Sequence, residues 1–212
     1  MNYLRNIFYR TILVVIIITL PPFALATDSI QIESVIIFNT SCAQCHEGEC
    51  SGRMAFHLPK SATDQHIRRH GSELSKKMIQ ELFELLRYMK EECSFYPLSV
   101  ALSQDQIWGS DKLSKLRSPS NNAYFVPLGY LELGLYQLLL EGLGDNANYC
   151  IEIINGEFEY FVEKTVNRES EKLSLQFQAD ERSNYYLRIK SKKPISLKRI
   201  EMLTSKKNGA NN

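Results

Sequence analysis

Tyr149-Cys150-Ile151-Glu152-Ile153-Ile154-Asn155-Gly156-Glu157-Phe158-Glu159-Tyr160-Phe161-Val162 sets apolar against polar residues on both sides of an Asn-Gly pair. Alternation with period two is the signature of a strand that is wet on one face. Asn-Gly suits the positive φ angles of a two-residue hairpin turn. The stretch therefore predicts a hairpin of strands over 149–154 and 157–166. The same period recurs outward at 124–128, 135–140, 173–178, 185–189 and 195–203. Gly142-Leu143-Gly144-Asp145 and Lys192-Lys193-Pro194 supply turn signals between them. Short strands at this spacing predict an antiparallel β-sandwich or jelly-roll-like domain over 123–205. Residues 206–212 read as a disordered tail. The lysines and arginines between Tyr186 and Arg199 read as a solvated strand face, and Cys150 as a buried strand thiol. No nucleophile motif or metal-ligand spacing marks this half.

Upstream the chain carries chemistry in five residues, Cys42-Ala43-Gln44-Cys45-His46. Two cysteines two residues apart with a histidine directly after the second form the attachment signature of c-type haem. Cys42 and Cys45 lie about one helical turn apart, so both sulfurs reach one edge of the porphyrin, and His46 falls where its imidazole meets the iron. A zinc CxxC, a thioredoxin-like pair or a structural disulfide would use the same cysteines. The other cysteines, Cys50, Cys93 and Cys150, form no second CxxC, and no βαβ pattern surrounds the motif.

The N-terminus fits that chemistry. Arg5 and Arg10 precede the apolar run 11–20, Pro21-Pro22 breaks it, and Ala24-Leu25-Ala26 has the small-x-small form of a signal-peptide cleavage site. Residues 1–26 read as a signal peptide, with an uncleaved membrane anchor as the alternative; the apolar run is short of the about 20 residues a membrane span needs. Haem attachment to CxxCH takes place outside the cytoplasmic membrane, so a periplasmic or otherwise exported protein is expected. The formal net charge of +1 gives no basic field for nucleic acid. The expected fold is α+β in two domains: a small α-helical c-type haem domain at 27–93, a linker at 94–122, and the β domain.

Within 27–93, Ser29 or Asp28 can cap a helix through Ile30, Ile32, Val35, Ile36 and Phe38. Ser72 can cap a second over 73–92, with Leu74, Met78, Leu82, Leu85, Leu86 and Met89 on one stripe. Val35-Ile36-Ile37-Phe38-Asn39-Thr40-Ser41-Cys42-Ala43-Gln44-Cys45-His46 resembles the first helix of class I cytochromes c, with an aromatic four residues before the first cysteine. Leu85-Leu86-Arg87-Tyr88-Met89-Lys90 resembles their last helix. The resemblance implies one covalently attached haem c wrapped by helices, carrying single electrons, with a sixth ligand from the loop before the last helix. That family usually supplies a methionine there, and none lies between Met54 and Met78. The segment holds His66 and His70 instead, one helical turn apart. Bis-histidine ligation through His46 and His70 is expected, with His66, then Met54, then His57 as alternatives. Met78 and Met89 read as packing residues.

Arg53, Arg68 and Arg69 are candidates for the haem propionates, since a guanidinium matches a carboxylate as a bidentate fork. Cys50 and Cys93 flank the haem segment, and a disulfide between them would stabilise it by roughly 3–4 kcal/mol. The function expected is electron transfer to a redox partner protein or a membrane respiratory complex, not enzymatic turnover. The β domain would dock a protein or a carbohydrate; Tyr185-Tyr186 resembles accessory carbohydrate-binding β domains. A haem sensor or haem enzyme with an open sixth site is the alternative.

Overall fold

A computed structural model of the chain describes residues 30–43, 60–70, 74–98, 105–120, 122–144, 147–168 and 172–205. The expected signal peptide, Cys45, His46, Cys50, Arg53, Met54, His57 and the tail lie outside the described residues. Eight strands are described: β1 (Ile107–Gly109), β2 (Ala123–Leu131), β3 (Gly134–Glu141), β4 (Ala147–Asn155), β5 (Tyr160–Arg168), β6 (Lys172–Ala179), β7 (Ser183–Ser191) and β8 (Arg199–Ser205). They form two four-stranded antiparallel sheets, in the orders β1-β8-β3-β6 and β2-β7-β4-β5. The arrangement is compatible with a β-sandwich. Leu173, Leu175, Phe177 and Ala179 alternate inward along β6, and across the sheets the Phe177 and Tyr185 rings lie 5.9 Å apart. Pro127 interrupts β2 beside a bulge, which an edge strand tolerates because no ladder bond depends on its missing N–H.

A strand overlaps each of the seven anticipated from the sequence, although the last begins at Arg199 and not at 195. The Asn155-Gly156 turn is longer than its dipeptide suggests. The Phe158 N–H donates to the Asn155 carbonyl at 3.2 Å, and Phe158 takes a positive φ of 67°. Asn155 Oδ1 also accepts from the Glu157 and Glu159 N–H groups, at 3.0 and 2.8 Å. A type I turn followed by one left-handed residue shifts the register near Ile153 and delays β5 to Tyr160. The segment expected as linker also differs in part. Trp108 lies in β1, paired with Ile200 of β8, and is 1% exposed. Its segment belongs to the sheet because the apolar Ile107-Trp108 pair covers the edge of β8; a short helix, 110–114, follows it.

The helical part consists of α1 (Ile32–Ile37), continued as one π-helical turn (Phe38–Cys42), α2 (Lys60–His70) and α3 (Lys76–Glu92). Ser75, not Ser72, caps α3, its hydroxyl accepting from the Met78 N–H at 3.2 Å. Leu82, Leu85, Leu86 and Met89 on α3 and Val35, Ile36 and Phe38 on α1 are buried in a core continuous with that of the sheets. That continuity has a local cause. Strand β7 is buried on both faces: Tyr185, Leu187 and Ile189 point one way, and Tyr186 and Arg188 the other. Phe95, just past α3, fills the second face, with its ring 5.4 Å from Phe125, 4.8 Å from Tyr186 and 4.5 Å from Phe158. The helices thus form a third layer on the outer face of the β2-β7-β4-β5 sheet.

Candidate functional site at the end of the first helix

The first helix widens into one π-helical turn over Phe38–Cys42. The Ala43 N–H bonds the Phe38 carbonyl, five residues back, which is the π-helical pattern. Such turns recur at functional sites, because they turn a carbonyl out of the ladder. The polar side chains here bond inward: Asn39 Nδ2 donates to the Val35 carbonyl at 2.9 Å, and Thr40 Oγ1 to that of Ile36 at 2.7 Å. Cys42 closes the turn, half-buried against the core. At the helix start the buried Ser34 hydroxyl donates to the Glu81 carboxylate of α3, which ties the two helices together.

The Asn39 carbonyl accepts from the sheet: Arg188 Nη1 on β7 donates to it at 3.3 Å. Arg188 is 1% exposed and also engages Glu152 and Tyr160. Its Nε donates to Glu152 Oε2, its Nη2 donates to the Tyr160 hydroxyl at 2.8 Å, and its guanidinium lies over the Tyr160 ring. Lys190 Nζ is 3.0 Å from Glu152 Oε1, and Cys150 Sγ lies 3.6 Å from the same oxygen. Burial pushes the Glu152 carboxyl up, but its bond and charge to Arg188, then those to Lys190, outweigh it and hold the group below the usual carboxylate range. Arg188 therefore departs from the solvated-face reading: β7 has no wet face at that position.

Of the residues singled out in the sequence, Cys42 and Cys150 are thiols, whereas Cys93 is disulfide-bonded. Neither described thiol is its partner, so that partner lies outside the described residues. Cys93 itself ends α3 in a left-handed conformation, φ 52°. His66, Arg68 and Arg69 are exposed on α2, whereas Ile67 between them is buried. His70 is the last residue of α2. Met89 is buried and Met78 half-buried, both packed against the core. Tyr185 and Tyr186 are buried, at 0% and 7% exposure, so neither offers a face to a sugar. Tyr185 packs on Phe161 and Phe177, and Tyr186 stacks on Phe125. Burial raises the Tyr186 hydroxyl to about 12, with Tyr88 adding to the effect. Among the described residues, no three His, Cys, Asp or Glu side chains converge as a metal-ion site.

One described residue bears on a haem of the c type: Cys42 is a thiol that closes the π-helical turn, and the wall behind it is apolar. One helical turn ahead of it, Asn39 Oδ1 is buried without a hydrogen-bond partner. An acceptor left in that state costs about 1–3 kcal/mol. The Arg188–Glu152 pair was missed in the sequence. Its one signal is a charge at position 188 flanked by apolar residues on both sides, Tyr185-Tyr186-Leu187 and Ile189.

No family model and no curated protein matches this chain. Among solved structures, one similar chain is the Anabaena sensory rhodopsin transducer, 12% identical, covering 38% of this chain and 87% of that one, with a TM-score of 0.26. Another is CpGH89CBM32-4, produced by Clostridium perfringens, in complex with glcNAc-alpha-1,4-galactose; it is 19% identical, covers 52% of this chain and 85% of that one, and has a TM-score of 0.31. At these scores neither likeness carries an argument about this chain.

Proposed function

We propose that the chain is an exported monohaem c-type cytochrome that carries single electrons. One observation carries the reading: the CxxCH spacing begins at a thiol, Cys42, which closes a π-helical turn packed against an apolar core. Cys42 and Cys45 would each add sulfur to one carbon of a haem vinyl group and hydrogen to the other, with nothing leaving, and His46 would take the iron. Bound there, haem supplies a one-electron couple. The protein's part is to hold the group, exclude water and fix its axial ligands. Val35, Phe38, Leu82, Leu85 and Met89 provide the dry wall. The exposure of His66 supports His70, the last residue of α2, as the sixth ligand. Since thioether formation needs Cys45, Cys50 is the proposed partner of the disulfide-bonded Cys93.

The strand orders 1-8-3-6 and 2-7-4-5 are those of a double Greek key, which supports a jelly-roll topology for the β part. We propose it as the module that fixes the haem segment and docks it to a redox partner protein or a membrane respiratory complex. Tyr130 and Leu133, exposed by 59% and 60% where the chain passes from β2 to β3, offer apolar contact for that docking. The test is an absorption spectrum of exported protein, oxidised, reduced, and reduced with carbon monoxide. A covalent c-type spectrum indifferent to carbon monoxide supports an electron carrier with a closed iron. A shift with carbon monoxide favours the sensor or enzyme reading, and no haem overturns both.

A further inference from the structure

We propose that Arg188 is a positioning residue for haem attachment: from inside the β part, it fixes the turn that presents Cys42. The inference rests on the haem reading and adds a task for the sheet. Three observations carry it. Arg188 is almost wholly buried, so its charge is there despite a desolvation cost of several kcal/mol. Its partners hold the guanidinium from separate sides, with Glu152 on β4 at Nε and Tyr160 on β5 at Nη2. Its Nη1 meets the carbonyl of Asn39, in the π-helical turn that ends at Cys42.

The arrangement suits a positioning role better than a purely stabilising one. A buried ion pair adds little net stability over apolar residues of the same volume, but it specifies one geometry. An apolar helix face can slide or rotate on a sheet at small cost. A carbonyl held by a guanidinium that is itself held by a carboxylate and a phenol cannot. Attachment needs that restriction, since the Cys42 and Cys45 sulfurs must both meet fixed atoms of one rigid ring. Lys190 takes part differently: it neutralises Glu152 from the far oxygen.

The test compares Arg188→Met/Glu152→Met, which removes the pair without leaving an unpaired buried charge, with Lys190→Met and Arg188→Lys. Two readouts are taken. The first is covalent haem per folded polypeptide, by mass, in exported protein. The second is amide hydrogen exchange over residues 39–43 in the haem-free Cys42→Ala/Cys45→Ala background. Loss of a charge-assisted bond is expected to speed that exchange by about tenfold in the Met/Met variant. Covalent haem is expected to fall by about tenfold, as misplaced reacting groups lose at least that much. Lys190→Met leaves both readouts unchanged. Arg188→Lys recovers the urea midpoint of the wild type but not its haem content, because an ammonium on a flexible stem cannot span all three partners. A purely structural role would make haem content follow the urea midpoint in every variant, which overturns the proposal. So does unchanged exchange in the Met/Met protein, or unchanged haem when the wild type is loaded. A wild type without covalent haem overturns the haem reading itself, and the exchange result then stands only as a statement about packing.

Discussion

Phe95→Ala is the substitution that most directly tests whether the helices and the sheets share one core. Phe95 is 3% exposed and follows the disulfide-bonded Cys93 by two residues. Its ring is within 5.4 Å of Phe125, Phe158 and Tyr186, centre to centre. Truncating a buried phenylalanine costs about 3–5 kcal/mol in transfer and cavity terms together. The three aromatic contacts place this site toward the upper part of that range, since each such pair adds about 0.5–1.5 kcal/mol beyond area burial. For a chain of this size the loss corresponds to a fall in Tm of roughly 10 °C.

The assay needs two probes. Far-UV circular dichroism at the helical band follows α1 to α3, and fluorescence of Trp108, the only tryptophan, follows the β1 edge of the sheets. If the layers are one cooperative unit, both probes report a single urea transition in wild type and move together in Phe95→Ala. A double-mutant cycle with Tyr186→Ala is expected to return a coupling of about 1 kcal/mol. The reasoning is refuted if the Trp108 transition stays within about 0.5 kcal/mol of wild type while the helical signal melts earlier. That outcome would mean a tethered helical domain whose contact with the sheet contributes nothing.

Gly142→Ala should destabilise by at least about 2 kcal/mol, because Gly142 has φ +92° and a Cβ there would sit 2.6 Å from the Lys198 N and 2.7 Å from the Ser196 O. Gly109→Ala, with nothing within 4 Å of its Cβ, is the neutral control in the same thermal melt. Glu152→Gln leaves Arg188 without its buried counter-charge and should cost about 3–5 kcal/mol at pH 7. Because the Glu152 carboxyl titrates below its unfolded value, its contribution is complete above the unfolded pKa and lost as pH falls through the folded one. Wild type should therefore weaken below about pH 4 along a slope that Glu152→Gln lacks, read by urea midpoints across pH. Tyr186 has the opposite sign: raised to about 12, it stabilises fully below pH 10 and loses that contribution between pH 10 and 12. Tyr186→Phe should flatten the alkaline limb of the same profile; an unchanged limb would exclude Tyr186 as its source.

Much of the β half was legible because each strand has a strong period or a strong turn. Leu173-Ser174-Leu175-Gln176-Phe177 alternates without a break, and the structure buries the apolar residues of that run and exposes the polar ones. The hairpin at Asn155 was legible as a hairpin but not in its length, since the bonds of the Asn155 side chain to two later N–H groups outweigh the dipeptide preference. Trp108 was not legible: three residues are too few for any period, and its placement depends on β8, about ninety residues later. The helical faces could be read from Leu82, Leu85 and Met89. Which further surface they covered could not, because a helix stripe shows that something is apolar opposite it and not what. The candidate site divides in the same way. Cys42 announces itself through local spacing, whereas Arg188 and Glu152 meet only through the strand pairing of β4 with β7.

That last contrast bears on what the β half is for. If its role were only to dock a partner, the sheet face toward the helices could be wholly apolar, as Phe125, Tyr186 and Ile154 on it already are. An apolar face would hold the helices at least as strongly, since replacing buried ion pairs with packed hydrophobic residues is often neutral or stabilising. The chain instead places a guanidinium in that layer, held by a carboxylate and a phenol, and the guanidinium donates to the backbone carbonyl three residues before Cys42. Stability does not call for that choice; a defined geometry at the cysteine does. The β half is on this argument part of the scaffold that fixes the turn before Cys42, and a chain cut short near residue 93 should hold residues 39–43 less firmly than the full-length protein does.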